Sequence, residues 1–190
     1  YPLLYTNCVG VVDSCGDGKF RGGVGIDRSF KVLGALTLTM HGDRAEVTPF
    51  GLAGGTNGGA NILRLRRAAN PEIEEDLGMH AVGIRLEPGD HMIYRSNGGG
   101  GFGNPLDRDP ERVSADVELG WISSEKASAV YGVVLCTDEL EKNRYIIDWN
   151  ATTVMREQRA NETRVRGYGP GEVHPLGEII QVAEAALATE

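Results

Sequence analysis

The chain has 190 residues, 41% of them hydrophobic and 24% charged, a balance that suits one globular domain, or one with a small appendage. With 27 acidic against 19 basic side chains the net charge is -8, which argues against a general nucleic-acid or anionic-membrane surface, since either needs a basic face. No apolar run approaches the ~20 residues that cross a bilayer.

Tyr1 to Val12 is apolar and β-prone and ends in the turn-rich string Asp13-Ser14-Cys15-Gly16-Asp17-Gly18. The glycines of Arg21-Gly22-Gly23-Val24-Gly25 suit a strand corner, a bulge or a close backbone contact, and Ile26 to Leu33 follows. From Ala35 to His41, Leu36, Leu38 and Met40 alternate with Thr37, Thr39 and His41, which predicts a strand with His41 on its wet side.

Gly42-Asp43-Arg44 leads into Pro49 to Gly59, whose density of turn formers predicts an irregular, mobile or ligand-facing loop. The planar fork of Arg44 could hold a carboxylate or phosphate, or could pair with Asp43 or Glu46 and organise the loop. Ile62, Leu63 and Leu65 predict a further strand. The basic knot Arg64, Arg66 and Arg67, followed by Glu72, Glu74, Glu75 and Asp76, reads as a mixed-charge surface, with a loop over Asn70 to Leu77. Val82, Ile84 and Leu86, then Met92 and Tyr94 beyond the Pro88-Gly89-Asp90 turn, complete an all-β reading up to Ser96, as a sandwich- or barrel-like antiparallel sheet.

Gly98, Gly99, Gly100 and Gly101 then make a bend that can come close to another surface. Two short helices are predicted after it. The first has Asp109 as cap, Pro110 at its first position, Glu111 in its first turn and Gly120 as terminator; the second starts at Ser123 or Ser124 and stops at Gly132. Val133 to Leu135 reads as a brief buried strand. Beyond it a helical tail is expected over 136–190, with a charged helix from Asn150 to Arg166 and an amphipathic one from Leu176, where Ile179, Ile180, Ala183 and Leu187 share a face. The fold class is therefore mainly β with short helices, an α+β arrangement divided at 135.

The sequence contains no nucleophile elbow, Walker loop, HExxH or CxxC pair, and its residues assign no catalytic group. Cys8, Cys15 and Cys136 are an odd number without zinc spacing, which fits a reducing cytoplasm, and His41, His80, His91 and His174 are scattered, so no metal site is assigned to this segment. The opening at Tyr1, without an initiator Met, reads as mid-domain sequence of a longer polypeptide.

The string GGGGFGNPLDRDPERVSADVELGWISSEKASAVYGVV resembles the carboxyl-terminal signature of the hydantoinase B/oxoprolinase family, which includes subunits of acetone and acetophenone carboxylases. CGDGKFRGGVGIDRSF, GDRAEVTPFGLAGG and LEPGDHMIY occur upstream in the matching order, so that the likeness covers 1–135. The resemblance implies a B-type subunit working with an A-type subunit that binds ATP with Mg and phosphorylates a small-molecule carbonyl substrate. It implies cyclic-amide hydrolysis of the hydantoin or 5-oxoproline kind, with ketone carboxylation as the alternative. A divalent metal, where relatives hold one, would lie in the amino-terminal part of the subunit. This segment would complete the subunit without catalysing alone, or serve only as an assembly module. Candidate contacts to the intermediate are the amides of Gly98 to Gly101, with Arg44 and Arg21.

Overall fold

The computed structural model describes residues 1–137 and 144–165, and every structural statement below concerns these. Five strands form an antiparallel sheet in the order β1 (Leu3–Gly10), β2 (Ile26–Val32), β7 (His91–Arg95), β4 (Ile62–Arg66) and β5 (Glu74–Asp76). A separate antiparallel pair, β3 (Leu36–His41) with β6 (His80–Leu86), packs against it.

The alternation read in β3 is the reason. Leu36, Leu38 and Met40, with Ala81, Ile84 and Leu86 from β6, turn toward Val32, Leu63, Leu65 and Met92 of the larger sheet. This gives two layers of sandwich type, and no barrel closes among the described residues. The barrel-like alternative is thereby corrected: β1 and β5 remain outer strands, each paired on one side only. They differ in character, since β1 exposes Leu4, Tyr5 and Val9 whereas β5 is the acidic run Glu74-Glu75-Asp76.

A second correction concerns Asn70 to Leu77, expected as a loop. Glu74 to Asp76 pairs with β4, because Glu74 reaches both Arg64 and Arg66 and Glu75 reaches Arg67 across the hairpin. Cross-strand opposite charges supply what the segment lacks in β propensity.

Asp90 fixes the turn between β6 and β7. Its buried carboxylate accepts from the Ala68 amide at 2.9 Å, the Glu87 amide at 3.0 Å and the Arg67 guanidinium at 3.2 Å. Burial alone would raise its pKa, but these donors together outweigh it and hold the group below the ordinary carboxylate value. A carboxyl whose folded-state pKa is depressed contributes stability above its unfolded pKa of about 3.9 and loses it as pH falls through the folded value. Thermal melts of the wild type should therefore be flat above pH ~5 and fall below ~4. Asp90→Asn should melt lower at pH 7 and converge on the wild type in strong acid; equal offsets at both pH values would contradict this role.

The helical layer forms as its caps dictate. Asp109 accepts from the Glu111 amide at 3.0 Å to open α1 (Pro110–Glu118), and Gly120 ends it at φ 68°. Ser123 accepts from the Lys126 amide at 3.1 Å to open α2 (Ser124–Ala129), and Gly132 follows at φ 63°. Val113, Val117, Ile122, Ala127, Tyr131 and Val133 form a second core with Cys15. The strand expected at Val133 to Leu135 starts later, as β8 (Leu135–Thr137), and pairs with β9 (Tyr145–Ile147), which the sequence left ambiguous. The charged helix is observed as α3 (Trp149–Val165), where Arg156 donates to the carbonyls of Tyr131 at 3.0 Å and Arg108 at 2.7 Å. The helix expected from Leu176 lies outside the described residues.

Candidate functional site

Three glycine-rich segments, 14–25, 49–61 and 96–103, run together between the sheet and the helices. Few of their residues belong to strands, yet their backbones bond directly to one another. The Gly16 amide donates to the Gly99 carbonyl at 2.8 Å, Gly99 to Gly23 at 2.9 Å, Gly101 to Thr56 at 2.9 Å and Thr56 to Asp17 at 2.8 Å. Phe20 and Phe102 exchange two such bonds, at 3.0 and 2.8 Å. The segments approach so closely that a Cβ on Gly98, Gly100 or Gly101 would collide with the carbonyl oxygen of Ser14, Phe50 or Asp17 respectively. Glycine is needed here because backbone packs on backbone. The segment Pro49 to Gly59, expected to be mobile or ligand-facing, is instead pinned: Gly58 donates to the Pro49 carbonyl at 2.8 Å, and the Gly51 amide to the Asn57 side chain at 3.0 Å.

Two buried polar clusters join this cradle to the helices. Asp17 accepts from the Tyr131 hydroxyl at 2.9 Å and the Thr56 hydroxyl at 3.2 Å, with the Lys126 ammonium at 3.4 Å. Burial first, and then the Asp17 carboxylate it donates to, push the Tyr131 phenol well above its usual pKa, so it stays a hydrogen-bond donor. Burial, reinforced by Asp17, also raises the Cys15 thiol above its ordinary pKa. In the second cluster one Asp116 oxygen accepts from Arg21 at 2.9 Å and from Arg108 at 2.8 Å. The Arg21 guanidinium also lies 4.3 Å from the ring centre of Trp121 and donates to the Gly22 carbonyl.

The candidate residues thus fall in different settings. Arg21 is enclosed and its charge is matched. Of the glycine run, the amides of Gly99 and Gly101 already have backbone acceptors. Arg44 is exposed, in the left-handed region at φ 66°, a conformation uncommon outside glycine. Its carbonyl accepts from the Asn61 amide at 3.0 Å, and the Asn61 side chain donates to the Asp43 carbonyl while accepting from the Asn97 amide at 2.6 Å. Asn61 therefore couples the Arg44 turn to the start of the glycine run. Beside this turn, Glu46, Asn61, Asp76 and Met79 line a cleft of about 330 Å³.

Sequence reasoning did not single out Asn61, Asp17 or the Asp116 pair. Nor did it anticipate that Phe20, Leu52 and Phe102, linked by backbone bridges, present their side chains together to solvent, each about half exposed. A large hydrophobic residue set among the glycines within each segment was the available signal.

An α+β domain whose two layers are joined to capped helices by a glycine-packed cradle defines the class. The hydantoinase B/oxoprolinase family model matches residues 1–105, and the chain belongs to that family. It is 34% identical over 141 residues to the caprolactamase subunit beta of Pseudomonas jessenii, covering 71% of this chain and 24% of that one. The crystal structure of the ATP-dependent caprolactamase from the same organism superposes with a TM-score of 0.64 at 28% identity, over 83% of this chain and 26% of that one. A nucleotide-free acetone carboxylase shares the fold with a TM-score of 0.72 at 23% identity, over 100% of this chain and 28% of that one. The chain thus spans about a quarter of the length of these relatives.

Proposed function

We propose that this chain is part of the B-type subunit of an ATP-dependent enzyme that receives a phosphorylated carbonyl intermediate and hydrolyses a cyclic amide. The observation that carries this reading is family membership together with the 34% identity to a subunit whose name specifies a lactam. Phosphorylating an amide oxygen makes the carbon electrophilic, so that water can add there and the ring nitrogen can leave as the protonated amine; a second water then splits the resulting acyl phosphate into carboxylate and inorganic phosphate. ATP and Mg are assigned to an A-type partner. The described residues do not fit a nucleotide site, since the Gly99 and Gly101 amides are bonded within the chain, and no set of three or more metal-ligating side chains occurs among them. In this reading the cradle is a rigid floor. The solvent-facing Phe20, Leu52 and Phe102 meet the amino-terminal part of the same subunit, which would cover an otherwise exposed apolar patch. No helix among the described residues is long and apolar enough to cross a membrane, and we place the enzyme in the cytoplasm.

Arg44, with its strained backbone and exposed guanidinium, holds the anionic intermediate; the Gly98 to Gly101 segment supports the Arg44 turn through Asn97 and Asn61, and Arg21 positions that segment through Gly22. In the intact complex Arg44→Ala should lower kcat/KM by about 10- to 100-fold at unchanged melting temperature, and Arg44→Lys should restore part of it. Normal turnover by a folded Arg44→Ala would remove Arg44 from the site.

Ketone carboxylation is the second reading, supported by similarity to subunits named for acetophenone and acetone carboxylases, at 29% and 26% identity. Incubating the complex with ATP and a lactam, a hydantoin or a ketone, each with and without bicarbonate, separates the two. Ring opening without bicarbonate is expected; a ketone consumed only when bicarbonate is present would replace the hydrolase reading.

A further inference from the structure

On the β3–β6 pair, His41 stands directly opposite His80, and their ring centres are 5.8 Å apart. The pairing is not what a regular ladder would give. Leu38 opposes Ile84, and counting evenly from there would set His41 against Ala81; a bulge between Leu38 and Met40 shifts the register by one and brings in His80 instead. Gly83, at φ 69°, supplies the backbone conformation for that shift. The register is held from the other face by the buried Met79, Ala81 and Leu86, so the two imidazoles are aligned by the core and not by each other. Both histidines are exposed, and no hydrogen bond among the described residues holds either ring.

We propose that His41 and His80 form a two-imidazole site for a divalent ion of the nickel, copper and zinc class. Imidazole nitrogen suits these ions, which sit about 2.0–2.1 Å from it. Two rings sharing one tetrahedral ion at that distance have centres about 5 Å apart, close to the observed 5.8 Å. No third imidazole, thiolate or carboxylate completes the set among the described residues. The remaining positions are therefore open to water or to an oxygen donor from outside this chain, as in a site that binds rather than buries its ion.

The test uses the full chain without an affinity tag, carrying Cys8→Ser and Cys136→Ser to remove its exposed thiols. Zinc chloride is titrated calorimetrically, and copper(II) is added for electron paramagnetic resonance. One equivalent of zinc should bind, weakened at least about tenfold by His41→Ala and by His80→Ala, as expected when a ligand and not merely its outer partner is removed. The copper spectrum should show coupling to two imidazole nitrogens and lose one in each variant. Zinc binding unchanged in both variants, or a copper spectrum indifferent to them, overturns the site. Should either alanine variant fail to fold, His41→Asn and His80→Gln carry the same comparison.

Discussion

Gly101→Ala should leave the chain unable to reach its folded state, and Gly98→Ala should do the same. The added methyl would be placed on the Asp17 carbonyl in the first case and on the Ser14 carbonyl in the second, and both obstacles are backbone that is itself hydrogen-bonded or flanked by bonded neighbours. A flexible side chain could swing aside, whereas here two packed segments would have to part. The expected penalty exceeds about 4 kcal/mol, the range reserved for disrupted cores. Gly23→Ala is the control, because a methyl there meets nothing within 4 Å. Circular dichroism melts should show Gly23→Ala within a few degrees of wild type and no cooperative transition for Gly101→Ala. A cooperative Gly101→Ala melt near the wild-type temperature would refute the packing role.

Asp116→Ala should be the most damaging substitution of a charged residue. Asp116 is 4% exposed and Arg108 7%, so removing the carboxylate strands a buried guanidinium and releases Arg21 from the cradle. Breaking one partner of a buried pair costs about 3–5 kcal/mol, most of it from the charge left behind. The double variant Asp116→Ala with Arg108→Met should recover part of the loss, since an apolar side chain leaves no charge to desolvate. Denaturant melts of the two variants decide it: a double variant less stable than Asp116→Ala alone would mean that Arg108 contributes packing rather than a stranded charge.

The parts of this molecule written in local chemistry were legible from the sequence. The caps at Asp109 and Ser123, the terminators Gly120 and Gly132, and the alternation from Leu36 to Met40 each act within a few residues, and each is found where its neighbours place it. The β5 strand was hidden because Glu74 to Asp76 has poor strand propensity and owes its pairing to arginines several residues away. The glycine segments were legible as unusual but not as partners of one another. Gly98 faces Ser14 and Gly100 faces Phe50, separations of many tens of residues that no periodicity encodes. The candidate site divided in the same way. The exposure and the turn around Arg44 follow from Gly42-Asp43-Arg44, but its link through Asn61 to Asn97 is visible only once three distant segments have met. The opposition of His41 and His80 depends on a one-residue bulge, which leaves no mark in the alternation that predicts the two strands.

The unlike margins of the larger sheet limit how copies of this chain can associate. β1 offers unpaired backbone flanked by Leu4, Tyr5 and Val9, whereas the opposite margin is covered in charge, its Glu74 and Glu75 already paired with Arg64, Arg66 and Arg67. Two molecules that join β1 to β1 about a twofold axis would turn both apolar rims inward and both ion-paired rims outward, so that this contact closes on itself as a pair.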